Sequence, residues 1–87
     1  MEVIYRPKFK KMLSKYPRDV IFLVSEMTEL FIEDPHHLSL RNHPLSPPLA
    51  RYSSISIDAD LRILYRMIDP GTAVFLKIGD HDTVYVE

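Results

Sequence analysis

Hydrophobic positions follow two different spacings along this chain, one helical and one extended. The opening Glu2-Val3-Ile4-Tyr5-Arg6 is β-branched and aromatic and stops at Pro7, which predicts a strand handing over to a helix. Phe9, Met12, Leu13 and Tyr16 then fall at i, i+3, i+4 and i+7, a helical stripe with Lys8, Lys10, Lys11 and Lys15 on the remaining face, and Pro17 ends it. From Asp19 to about Asp34 the same period returns: Val20, Leu23, Val24, Met27, Leu30 and Phe31 share one side, glutamates the other, and Asp34-Pro35 breaks the helix. The two helical segments are expected to pack as an antiparallel hairpin turning at Pro17-Arg18.

Residues 35–50 carry four prolines and three histidines with no helical period, so they are expected to be a loop, and a long one. After it the period becomes two. Ile55 and Ile57 alternate with Ser54 and Ser56; Ile63 and Tyr65 with Arg62 and Arg66; Val74, Leu76 and Ile78 with Phe75 and Lys77. Asp58-Ala59-Asp60 and Asp69-Pro70-Gly71 are the tight turns between them. The expectation is a single α+β domain over residues 1–87: strand, two-helix hairpin, then a three-stranded antiparallel meander, with the helices packed on one face of the sheet.

Composition narrows the function classes. With 46% hydrophobic and 26% charged residues the chain is of the globular type. No apolar run approaches the roughly 18–20 residues of a membrane span and no secretory leader pattern opens the chain, so a cytoplasmic protein with no membrane association is expected. The absence of cysteine removes disulfides, thiolate metal sites and cysteine nucleophiles together. His36, His37 and His43 show neither an i, i+4 helical pair nor a zinc-ligand spacing, so neither a metal nor another cofactor is expected. A formal net charge of −1 gives no global field to draw the protein onto nucleic acid, yet six of eleven cations crowd the first eighteen residues.

Candidate chemistry gathers on the sheet face away from the helices. The alternation projects Arg62 and Arg66 from one strand about 13 Å apart, a span suited to successive phosphates. Lys77 comes from the neighbouring strand, and His81 stands where that strand runs out, with Asp60 at the preceding turn and Tyr85 beyond. RNA is cleavable without a metal when a base removes the 2′-hydroxyl proton, a cation stabilises the transition-state phosphate and an acid protonates the leaving oxygen. Imidazole, with an ordinary pKa of about 6.5, suits either proton-transfer role. The same residues also fit a solvated strand face ending in a polar turn. The lysines of the first helix, Lys10 and Lys11 among them, fit either an RNA-backbone contact or simple solvation of an amphipathic helix. Tyr52 fits the core or a base-stacking platform.

Asn42-His43-Pro44-Leu45, Arg51-Tyr52, Asp60-Leu61-Arg62-Ile63-Leu64-Tyr65-Arg66 and Ile78-Gly79-Asp80-His81-Asp82-Thr83-Val84-Tyr85 together resemble the RelE/ParE superfamily of toxin–antitoxin toxins, the YafQ-like branch above all. The resemblance spans the whole chain in element order, with its specific motifs in residues 42–85. It implies a ribosome-dependent mRNA endonuclease whose partners are the ribosome, mRNA and a cognate antitoxin that forms a hetero-oligomer with the toxin and blocks its site. It places His43 at the branch's loop histidine, Asp60 at its catalytic aspartate, His81 at its terminal catalytic histidine, Arg62 against the scissile phosphate and Tyr85 at the C-terminal aromatic. In a nuclease of this kind Arg66 and Lys77 are expected to position the RNA backbone, with Lys10 and Lys11 of the first helix as further candidate RNA contacts. This chain departs from the pattern in having Ser56 where the branch has a further strand histidine, Ser53 and Ile55 where RelE-like members carry lysines, and little net charge. The same superfamily also includes inhibitors of DNA gyrase, so the readings weighed beside the nuclease are a ParE-like gyrase inhibitor and an inactive antitoxin-binding module.

Overall fold

The computed structural model describes residues 1 to 85, Tyr85 by its backbone alone. Strand β1 (Glu2–Tyr5) leads into helix α1 (Pro7–Leu13), which opens on proline, whose missing N–H would be unbonded in a first turn anyway. The helix is a turn shorter than the stripe out to Tyr16 predicts. The Lys15 and Tyr16 amides donate instead to the Met12 and Leu13 carbonyls in an irregular turn. Helix α2 (Arg18–Glu33) carries Asp19 in its first turn, where a carboxylate complements the helix dipole, and ends where Asp34 meets Pro35.

The segment expected to be a plain loop holds more structure than its composition announces. A 3-10 turn (Leu38–Leu40) sinks Leu40 fully into the core, and a two-residue strand, β2 (His43–Pro44), follows. Asn42 ties the segment down: its side-chain amide donates to the Pro35 carbonyl at 2.8 Å, and its oxygen accepts from the Tyr65 hydroxyl at 2.6 Å.

Strands β3 (Ser53–Ser56), β4 (Arg62–Asp69) and β5 (Thr72–Gly79) form the expected antiparallel meander. Asp58 shapes the first turn by accepting from the amides of Asp60 and Leu61, and Asp69 shapes the second by accepting from Gly71. The full sheet runs β1-β5-β4-β3-β2, with β1 parallel to β5 in the register Glu2↔Thr72 to Tyr5↔Phe75. A short helix, α3 (His81–Tyr85), closes the chain's described part.

The core lies between the helices and one sheet face and is built on aromatic rings. Phe75 sits at its centre, fully buried, 5.5–5.7 Å from the ring centres of Phe9, Phe31 and Tyr5, and Phe31 meets Tyr65 at 4.9 Å in an edge-to-face arrangement. Here the strict alternation read from β5 fails. Leu64 pairs with Lys77 but Tyr65 pairs with Phe75, so Leu76 is an extra residue, a β-bulge that switches the strand's phase. Ahead of it Ala73 and Phe75 face the core while Val74 and Leu76 face the other way; after it Ile78 faces the core and Lys77 the other way. Ile68 is a second such insertion, on β4.

Candidate functional site

The sheet face opposite the helices is laid out in rows by strand pairing, since residues directly opposite one another share a face. Ser56, Arg62 and Gly79 form one row; His43, Ser54, Leu64 and Lys77 form the next; Arg66, Val74 and Ile4 lie further along. Arg62, Arg66, Lys77 and His43 therefore occupy one face, and Ser56 stands beside Arg62 in the row nearest His81. Arg6 extends the alternation of β1 onto this face, its amide bonded to the Phe75 carbonyl at 3.2 Å.

A pocket of about 460 Å³ opens here, walled by Pro48, Leu49, Arg51 and Tyr52 of the β2–β3 loop on one side and by Arg6 and Lys8 on the other, over a floor of Leu64, Leu76 and Lys77. A second hollow adjoins it, sharing Arg6, Tyr52 and Leu76 and adding Ile4, Arg66, Ile68 and Val74. Among the described residues, no carboxylate lines either one. The face thus collects Arg6, Lys8, Arg51, Arg62, Arg66 and Lys77, a majority of the chain's eleven cations, although the formal net charge is −1. The Nε–H of Arg66 is buried without a hydrogen-bond partner among the described residues.

His81 stands at the end of this face. β5 stops at Gly79, and Asp80 caps the turn that follows: its carboxylate accepts from the Thr83 amide at 2.8 Å and its carbonyl from the Val84 amide at 3.0 Å. The bond from the Thr83 amide, then that from the Thr83 hydroxyl, holds the Asp80 carboxyl below the usual aspartate value, with a smaller contribution from the charge of His81. His81 is two-thirds exposed, its Nδ1 3.7 Å from a fully exposed Asp82 oxygen. Carboxylates thus flank the imidazole, as the sequence Asp80-His81-Asp82 reads. Asp60, in the β3–β4 turn two residues before Arg62, lies at the same end of the sheet, because Arg62 pairs with Gly79. It is exposed, and its amide is held by Asp58. His43 is an edge-strand residue rather than a loop residue. Its Nδ1 lies 2.7 Å from the Arg41 carbonyl, an acceptor to which Nδ1–H donates.

Burial raises the Tyr65 phenol above its ordinary value, against the opposing effect of its bonds to Asn42 and Ser53, which fits its structural role under the sheet. The side chain of Tyr85 lies outside the described residues. Lys10 lines a groove on the helix side with Phe9, Leu13, Ile21 and Thr28, and Lys11 is exposed in the last turn of α1, so the helix residue that reaches the pocket is Lys8. Reading the sequence alone missed Arg6, Lys8 and Arg51 as parts of one site and left Tyr52 undecided; the structure puts Tyr52 on the open face. The signal was the even-numbered alternation Ile4, Arg6 in β1, but it acquires meaning only once β1 is known to lie beside β5. Among the described residues, no group of three or more His, Cys, Asp or Glu is placed to hold a metal ion, and no helix is long and apolar enough to cross a membrane.

No protein-family model matches the sequence, and no curated protein matches it either. Solved structures do match. YafQ from E. coli strain BL21(DE3) superposes with a TM-score of 0.79 at 16% identity, covering 98% of both chains. A YoeB/ParE toxin from Agrobacterium tumefaciens gives 0.76 at 16% identity over 93% of this chain and 99% of that one. A chain of the toxin–antitoxin complex RelBE2 from Mycobacterium tuberculosis gives 0.74 at 26% identity over 92% of this chain and 96% of that one. The α1–α2 hairpin, the meander and the parallel first strand are therefore those of the RelE/ParE-type toxin fold, in a YafQ-like form.

Proposed function

We propose that this protein is the toxin of a toxin–antitoxin pair and cuts mRNA in the ribosome, in the cytoplasm, by metal-independent acid–base chemistry. The observation that carries the reading is the sheet face itself: a strip of cations without carboxylates among the described pocket-lining residues, ending at an exposed histidine just beyond the row of Arg62 and Gly79. A general base takes the proton of the 2′-hydroxyl, O2′ attacks phosphorus, the bond to the 5′-oxygen breaks, and a general acid protonates that oxygen, leaving a 2′,3′-cyclic phosphate and a 5′-hydroxyl end. His81 serves as one of the proton-transfer groups and Asp60, at the same end of the sheet, assists it. Arg62 stabilises the charge that gathers on the phosphate, where a guanidinium forks onto two oxygens. Arg66 and Lys77 hold the flanking backbone. His43 and Tyr85 complete the set of residues assigned by resemblance, while Lys10 and Lys11, the candidate RNA contacts of the first helix, do not line the pocket.

A partner follows from the same charge arrangement. An antitoxin segment rich in Asp and Glu laid over this face would neutralise the cations and exclude RNA at once; a similar chain in the RelBE2 structure comes from a toxin–antitoxin complex.

Induced synthesis of the protein should arrest growth and yield messages cut on ribosomes, mapped by primer extension. His81→Ala or Arg62→Ala should slow cleavage about 100- to 10,000-fold, the usual worth of a proton-transfer or charge-stabilising group. Cleavage at the wild-type rate by either variant refutes these roles. Supercoiling by gyrase that stops while messages stay intact refutes the nuclease reading and favours the gyrase inhibitor.

A further inference from the structure

We infer that the pocket between the β2–β3 loop and the β1–α1 junction seats one nucleobase of single-stranded RNA, stacked on Tyr52, beyond the row where the proposed reaction occurs. The inference rests on the reading of this face as an RNA surface and adds a specific subsite to it.

The pocket has the composition such an occupant needs. Its volume of about 460 Å³ falls in the range of small-molecule sites, roughly 300–1,000 Å³. Leu49, Leu64 and Leu76 give it an apolar interior, and Arg6, Lys8, Arg51 and Lys77 ring that interior with basic side chains. An apolar slot encircled by cations matches a flat base carried on a phosphate backbone, and it is ill suited to a wholly apolar or a cationic ligand. The bulge at Leu76 shapes this floor, since it turns the consecutive residues Leu76 and Lys77 together to the open side.

Tyr52 is held as a platform should be. Its amide donates to the Leu49 carbonyl at 2.9 Å and its carbonyl accepts from the Leu45 amide at 3.0 Å, so the backbone under the ring is fixed from both sides. Tyr52 also borders the adjoining hollow, which Arg66 lines from the sheet. The Lys77 row lies two residues along β5 from the Gly79 row, about 7 Å at the usual rise, and the Arg6 side lies further still. The slot thus reads a nucleotide other than the one whose phosphate meets Arg62 and His81.

The test is binding of a fluorescein-labelled RNA hexanucleotide to the full chain, followed by anisotropy at several salt concentrations, with the RNA checked for integrity afterwards. Tyr52→Ala should weaken binding roughly 5- to 100-fold without changing the salt dependence, because a stacked base carries no charge of its own. Tyr52→Phe, which keeps the ring, should bind within about twofold of wild type. Arg51→Ala should instead flatten the slope of log affinity against log salt by about 0.7, the value for one phosphate contact to a single strand. Adenosine monophosphate should displace the hexamer at lower concentrations than inorganic phosphate does. Unchanged affinity in Tyr52→Ala, or displacement by phosphate as effective as by the nucleotide, overturns the inference. Tyr52-dependent binding with uncut message on ribosomes supports the slot and sinks the nuclease reading; message cut on ribosomes with Tyr52-independent binding sinks the slot alone.

Discussion

Replacing Gly79 with alanine should loosen α3 and cost measurable stability. A methyl group at Gly79 would stand 2.8 Å from Cγ2 and 2.9 Å from Cβ of Thr83, where carbon atoms in good contact keep about 3.5–4.0 Å apart. The first contact can be eased by rotating the threonine. The second cannot, because the Cβ position is fixed by a backbone whose Thr83 and Val84 amides are bonded to Asp80. Relief therefore requires α3 to lift from the sheet, partly exposing Val84, which is fully buried. Overpacking of this kind costs about 1–3 kcal/mol, and complete exposure of one such side chain about 1.5–3 kcal/mol. The opposing gain from a stiffer unfolded chain is smaller, about 0.4–1 kcal/mol, so destabilisation wins. Urea unfolding should show a lower midpoint with an unchanged slope, and thermal unfolding a drop of about 4–8 °C per kcal/mol lost. Thr83→Ala in the same chain should restore only part, since it removes Cγ2 and leaves Cβ. A wild-type midpoint for Gly79→Ala, or complete rescue by Thr83→Ala, would refute the argument.

Three further outcomes follow from the same contacts. Phe75→Ala should cost about 3–5 kcal/mol in urea unfolding, because it empties the centre of the aromatic cluster, while Phe75→Leu should cost less. Asn42→Ala should cost about 1–3 kcal/mol by leaving the Pro35 carbonyl and one bond of the Tyr65 hydroxyl unmet; an unchanged midpoint in Asn42→Ala would show that water replaces both. The Asp80 carboxyl is held below its ordinary value of 3.8, so the stability it lends α3 is present above that value and is lost as pH falls through the lower, folded-state value. The Thr83 amide resonance should move over that acid range in the wild type and stay flat in Asp80→Asn.

Much of this architecture was legible in the sequence because local rules were obeyed. The helix stripes, the Asp58 and Asp69 turns and the meander all follow from spacing and turn chemistry that hold within a dozen residues. The exceptions have physical causes. Period-two reading of β5 misplaced Phe75, since a bulge inserts one residue without leaving a mark in composition: Val74, Phe75 and Leu76 are all apolar, so either phase looks sound. The 3-10 turn and β2 were hidden because their order comes from Asn42 reaching Tyr65, a contact between distant segments. The helix at His81 went unseen because five residues are too few to show a period. The candidate site divides along the same line. Arg62, Arg66 and Lys77 share a face by alternation, as read from the sequence, whereas Arg6, Lys8, Arg51 and Tyr52 meet only through pairing that no local pattern specifies.

The parallel pairing of β1 with β5 has a consequence for the order of assembly. Glu2 meets Thr72 and Tyr5 meets Phe75, so every element between them must be made before the first strand finds its neighbour. Synthesis at roughly 5–20 residues per second leaves that strand waiting for several seconds, and the closure of so long a loop makes its docking a slow, non-local step. Arg6 and Lys8 reach Lys77 only when this step is complete. The basic pocket thus exists only after β1 has docked on β5, and a nascent chain that has not reached β5 carries its cations without the surface that gathers them.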